Sequence, residues 1–112
     1  METAAGLVKL KSDAKQTVDN WRKTLQERRE EVIATLRDEG VKIESYFEVK
    51  IADEDYLLWY MRAESVEKAW EIALKSQHDI DAFHFQVFED ITAPGGKIFA
   101  TPILDLYDDQ CD

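Results

Sequence analysis

One strand-turn-strand unit, set between two helix-forming stretches, constrains this chain more than anything else in it. In VKIESYFEVKI, Val41 to Ile51, one side carries Val41, Ile43, Ser45, Phe47, Val49 and Ile51, and the other carries Lys42, Glu44, Tyr46, Glu48 and Lys50. A period of two with one apolar side describes a strand with a single core face, here the side of Val41 and Phe47. The short turn ADED leads into YLLWYMRA, Tyr56 to Ala63, whose aromatic residues favour a second strand. So short a connection makes the pair an antiparallel hairpin. The second strand is apolar on both sides, with Leu57, Trp59 and Met61 against Tyr56, Leu58 and Tyr60.

The flanking segments supply the rest. GLVKLK, Gly6 to Lys11, alternates as a strand and meets Ser12 and Asp13, whose oxygens suit a helix N-terminus. Ala14, Val18, Trp21, Leu25, Val32, Ile33 and Leu36 then form one helical stripe, which Gly40 ends as a C-cap. A helix over residues 13 to 39 would be roughly 40 Å long at about 1.5 Å per residue, so a bend near Gln26 to Arg29 is expected. The stripe falters at that point: Arg28 or Arg29 falls on the inward side and needs a carboxylate or a route to water. Ser65 caps a second helix, SVEKAWEIALKS, and SQHDIDAFHFQVFEDI reads as a third, shorter one. APGGK breaks it before a last strand, KIFATPILDLY, where Pro102 marks an edge or a bulge.

The order is β-α-β-β-α-β with an extra helix before the last strand, an α+β ferredoxin-like pattern with an antiparallel four-stranded sheet. Residues 1–107 are expected to form one domain and 108–112 an acidic tail. Helices cover one face of such a sheet. On the assigned facing, the other would show Tyr46, Tyr56, Leu58, Tyr60, Phe99 and Ile103, so a homodimer joined through the sheets, a dimeric α/β barrel, is expected.

Charge excludes whole classes of partner. The 112 residues carry a formal net charge of -10 and a pI near 4.6, which argues against nucleic acid and anionic membrane. The basic pair Arg28 and Arg29 is followed at once by Glu30 and Glu31. The start METAAGLVKLKSD lacks the pattern of a signal peptide, and no window approaches a membrane span of ~20 apolar residues. Cys111 is the single cysteine, in an acidic terminal stretch, so no intrachain disulfide forms and a cytoplasmic location is expected.

Two resemblances rest on particular runs. Leu57 to Phe83, with Ser76, His78 and Phe83 after an aromatic strand and a helix, resembles the central segment of dimeric α/β-barrel proteins of the antibiotic-biosynthesis monooxygenase type. RREEVIATLRDEGVKIES together with DYLLWYM is similar to a family of short uncharacterised bacterial proteins of the same fold. The resemblance implies a barrel dimer, and through the first family monooxygenase-like activity. This chain departs from that family in its longer first helix. It also has no asparagine on the first strand to complete the asparagine, tryptophan and histidine set of the haem-degrading relatives; Asn20 lies on the first helix.

The residues themselves leave the chemistry open. His78 sits in the polar turn SQHD, Asp81 is three residues from each histidine, and His84 lies between Ile80 and Phe88 on a helical stripe. In one reading His78 caps a helix and His84 hydrogen-bonds in the core. In the other, His78 with Asp81 works as an acid/base pair at the mouth of a pocket, with Arg28, Arg29, Glu44, Trp59, Tyr60 and His84 binding a ligand. Successive steps of three residues carry the two histidines apart around a helix, so no metal site is expected, and no cofactor. Phosphate-loop, nucleophile-elbow, CxxC and HExxH motifs do not occur. The expected function is binding of a small organic molecule between helices and sheet, with monooxygenase-like or acid/base activity as its extension. The alternative is a non-catalytic structural or interaction homodimer.

Overall fold

The computed structural model describes residues 1–108; Cys111 lies outside the described residues. Four strands and four helices follow in the order β1 (Glu2–Leu10), α1 (Lys15–Glu27), α2 (Arg29–Glu39), β2 (Val41–Ile51), β3 (Glu54–Ala63), α3 (Val66–Leu74), α4 (Asp79–Ile91) and β4 (Thr92–Phe99). The sheet is antiparallel throughout, with strand order β2-β3-β1-β4. This is the ferredoxin-like arrangement. The helices cover one face, α1 packing on α4 and α2 on α3.

The bend expected in the first helix is a complete break. Arg28 leaves helical geometry at φ -103°, ψ 33°, ending α1 and opening α2, and its guanidinium pairs with Glu31 on the surface. Ser12 and Asp13 do not cap α1, whose N-cap is Ala14 without a side-chain bond. Ser65 does cap α3, its hydroxyl accepting from the Lys68 N–H at 3.2 Å. Gly40 closes α2 with φ 72°, a left-handed conformation that glycine adopts without a Cβ penalty. The last helix, at 13 residues, is longer than α3 at nine, and β4 takes up the APGGK stretch and ends at Phe99, well before Tyr107.

The facing of β2 differs from the alternation reading, and the cause is local. Val41 pairs with Ala63 while Ile43 pairs with Arg62, two steps along β2 for one along β3, so Lys42 is a bulge residue. An extra residue shifts the parity of everything after it. Val41 stays in the core at 6% exposure, but Ile43 and Phe47 stand 45% and 54% exposed on the open face. Glu44 and Tyr46 turn toward the helices instead, Tyr46 packing on Trp21 and Phe88.

The open face carries the row Phe47, Leu58, Leu7 and Ile98 across all four strands. A strap beyond β4 covers part of it. The Arg62 guanidinium is buried there, donating to both carboxylate oxygens of Asp105 at 3.1 and 2.5 Å and to the Tyr60 hydroxyl at 3.0 Å, with the Tyr107 ring 4.9 Å away.

On the helix side, Gly6 lies between Trp59 of β3 and Phe99 of β4. A Cβ there would come within 2.8 Å of the Trp59 ring and 2.7 Å of the Ile98 carbonyl oxygen. Backbone cannot move aside as a flexible side chain does. Gly6→Ala is therefore expected to cost about 1–3 kcal/mol, the range for overpacking a filled site, and denaturant unfolding measures it.

Candidate functional site

The apolar interior of the helix layer is split. Ala14, Val18, Trp21, Leu57, Val87 and Ile91 form one cluster, with Leu25, Tyr46 and Phe88 against it, and Val41, Met61, Ala63 and Ala69 form another, with Leu36 and Trp59 against it. Between them opens a cleft of about 700 Å³. Leu25, Val32, Ile33, Leu36, Trp59 and Met61 give it apolar walls, and Trp70, Phe85 and Phe99 stand at the protein surface beside it. Glu39, Glu44, Tyr46, Asp81, His84, Arg29 and Lys97 supply its polar groups.

Each polar group arrives by a local rule. Glu39 ends α2 one residue before the Gly40 cap, one turn after the buried Thr35. The Lys42 bulge delivers Glu44 and Tyr46, and α4 delivers Asp81 and His84, three residues apart. Trp21 Nε1–H donates to His84 Nδ1 at 3.0 Å, His84 Nε2 lies 3.4 Å from the Tyr46 hydroxyl, and that hydroxyl donates to Glu44 Oε1. Oδ2 of Asp81 is buried with no hydrogen-bond partner among the described residues.

The cleft shifts the titration of its groups. Burial, then the charges of Asp81 and Glu44, push the Glu39 carboxyl up to about 8. Burial also raises Glu44, opposed by the bond from Tyr46, which favours the ionised form. Glu44 is open to water along the cleft yet walled by protein on its other sides, so accessibility and desolvation coexist. Burial lowers His84 to about 4 and raises the Tyr46 phenol well above its usual range.

Of the residues singled out from sequence, Arg29, Glu44, Trp59, Asp81 and His84 line this cleft, and Arg28, Tyr60 and His78 do not. Arg28 is engaged with Glu31, and Tyr60 belongs to the open face with Arg62. His78 stands exposed at the head of α4, 2.9 Å from Asp38, on a smaller hollow of about 270 Å³ that shares Thr35, Glu39 and Asp81 with the cleft. The contact with Asp38 raises its titration. Glu39, Tyr46 and Trp21 were missed as site residues. Glu39 carried a signal, a carboxylate one turn from a core position just before a C-cap glycine, whereas Tyr46 was hidden by the bulge. Among the described residues no group of side chains is arranged to hold a metal ion, and no helix is long and apolar enough to cross a membrane.

Residues 1–107 match the family described as DUF6176, a family of unknown function. The chain belongs to the DUF6176 family. No curated protein matches the sequence. Among solved structures, the crystal structure of an L-rhamnose mutarotase from Formosa agariphila is similar, with a TM-score of 0.60 and 18% identity over 96% of this chain and 100% of that one. At that identity the likeness is one of fold.

Two cleft groups whose shifts span the mildly acidic to neutral range, Glu39 and His84, shape the dependence of stability on pH for this DUF6176 member, and the raised titration of His78 adds to the loss above about 6.5. Glu39, raised in the folded state, makes folding less favourable as pH rises from about 4.5 to about 8. His84, lowered in the folded state, has the opposite slope between about 4 and 6.5. The slopes oppose each other up to about 6.5, beyond which only the loss remains. Melting temperature should fall between pH 6.5 and 8, and Glu39→Gln should flatten that fall, as thermal denaturation across the pH series will show.

Proposed function

We propose that the cleft binds a small, uncharged, hydroxyl-rich molecule and exchanges protons with it. The observation that carries this reading is the convergence of Glu39, Glu44 and Asp81 with Trp59, Trp70 and Phe99 on one cleft. Carboxyl groups take hydrogen bonds from hydroxyls, while aromatic faces accept the apolar side of a ring. Arg29 and Lys97 offset the carboxyl groups within the cleft, and it is the net charge of -10 on the whole chain that disfavours an anionic ligand. The similar fold of a protein named for acting on L-rhamnose, a neutral sugar, is consistent with that ligand class.

Proton exchange follows from the unequal carboxyls. At neutral pH Glu39, with its titration near 8, holds a proton to give, and Glu44, raised by burial but with its anion supported by the Tyr46 hydroxyl, is the group placed to receive one. Opening a cyclic hemiacetal requires those two roles: the anomeric hydroxyl proton passes to Glu44, the bond from the anomeric carbon to the ring oxygen breaks, and Glu39 protonates that oxygen. The reverse transfers close the ring on either face.

Titration calorimetry with a panel of neutral sugars and polyols, L-rhamnose included, and exchange NMR between their anomers test the reading. Saturable binding is expected for at least one, with Glu44→Gln weakening it about 10- to 100-fold, the loss of a charge-assisted bond. If no panel member binds at millimolar concentration, the reading is wrong.

A second reading, a homodimer joined through the sheets, is favoured by the exposed open face. Phe47, Ile43, Ile51 and Ile98 are all at least 44% exposed there. Sedimentation is expected to give twice the 13.0 kDa chain mass, and Phe47→Glu to give the monomer. A monomeric wild type at micromolar concentration would dismiss this reading without touching the first.

A further inference from the structure

The hydrogen bonds at the inner end of the cleft have a polarity that chemistry fixes from both ends. An indole N–H only donates, so Nδ1 of His84, 3.0 Å from Trp21 Nε1, must present its lone pair. At the other end the single proton of the Tyr46 hydroxyl is committed to Glu44, so toward His84 that oxygen accepts. Nε2 of His84 therefore carries the ring proton. An imidazolium would point a second N–H at the Trp21 donor, and the opposite tautomer would break both contacts.

We propose that His84 is a positioning residue, held as the neutral Nε2–H imidazole, and that the directed chain from Trp21 through His84 and Tyr46 presents Glu44 to the ligand as its hydroxyl acceptor. The last clause rests on the binding reading above; the tautomer and the direction of the chain do not. One oxygen of Glu44 is occupied by Tyr46, which leaves the other for the cleft. The ring of His84 is held from the sides as well, its centroid 4.6 Å from that of Phe88 and 5.9 Å from that of Trp21. The titratable and charged groups facing the same cleft are Glu39 and Arg29 from α2, Glu44 and Tyr46 from β2, Asp81 from α4 and Lys97 from β4. This assigns the second histidine a role that is neither acid/base catalysis nor bare packing.

Long-range 1H–15N correlation spectra of the full chain, labelled at histidine, read the tautomer directly, and 13C carboxyl shifts read the titration of Glu44. His84 is expected in the neutral Nε2–H form throughout pH 5 to 8. Trp21→Phe should release it to a mixture of tautomers that titrates within that range. Tyr46→Phe, the milder change, should release it from the other side, and both variants should move the titration of Glu44 upward. An Nδ1–H or imidazolium ring at pH 7 in the wild type overturns the proposal. So does a Glu44 titration that Tyr46→Phe moves and Trp21→Phe leaves alone, since the chain would then stop at the tyrosine. Intact chain behaviour with no sugar bound would overturn the binding reading and its clause here, but not the tautomer.

Discussion

A single residue of register, the bulge at Lys42, decides what each face of this protein can do. Side chains alternate along a strand, so one extra residue exchanges the two sets beyond it. Without it, Phe47 would point at the helices and Tyr46 at the open face. With it, the polar set of β2 enters the helix layer and the apolar set is displayed outside. The inward set includes a carboxylate, and burying one is unfavourable unless it is bonded or close to water. Glu44 has both, the Tyr46 hydroxyl and the open cleft.

That intrusion explains why the interior comes in two clusters. A continuous packed layer has no place for Glu39, Glu44 and Asp81 together, since like charges at close quarters suppress each other's ionisation. The break at Arg28 separates the helix carrying Trp21 from the helix carrying Glu39. Each half packs on its own partner, and the seam between them is where the carboxyl groups meet.

Element order and fold were legible in the sequence because they depend on periodicity and short-range chemistry. The hairpin, the Ser65 and Gly40 caps and the ferredoxin-like order all stand. The facing of β2 was not legible, because VKIESYFEVKI alternates perfectly and a bulge shows itself only against the partner strand. The site divides along the same line. Trp59 and Asp81 sit on elements whose faces the pattern fixed, and they line the cleft. Tyr60 faces the open side as its alternation with Trp59 requires, but the assumption that Glu44 shared that side placed the two together. The histidines are told apart in part by pattern, His78 in an exposed polar turn and His84 on a packed stripe, but their partners, Asp38 at the surface and Trp21 inside, come together only in three dimensions.

Glu39 and Asp81 form part of the wall of two hollows, the broad cleft and the narrow one beside His78. A molecule seated in the broad cleft leaves the narrow one free. Glu39 thus keeps a back door to bulk water while its front is occupied. The Glu39 proton can equilibrate with the solvent without waiting for the occupant to leave.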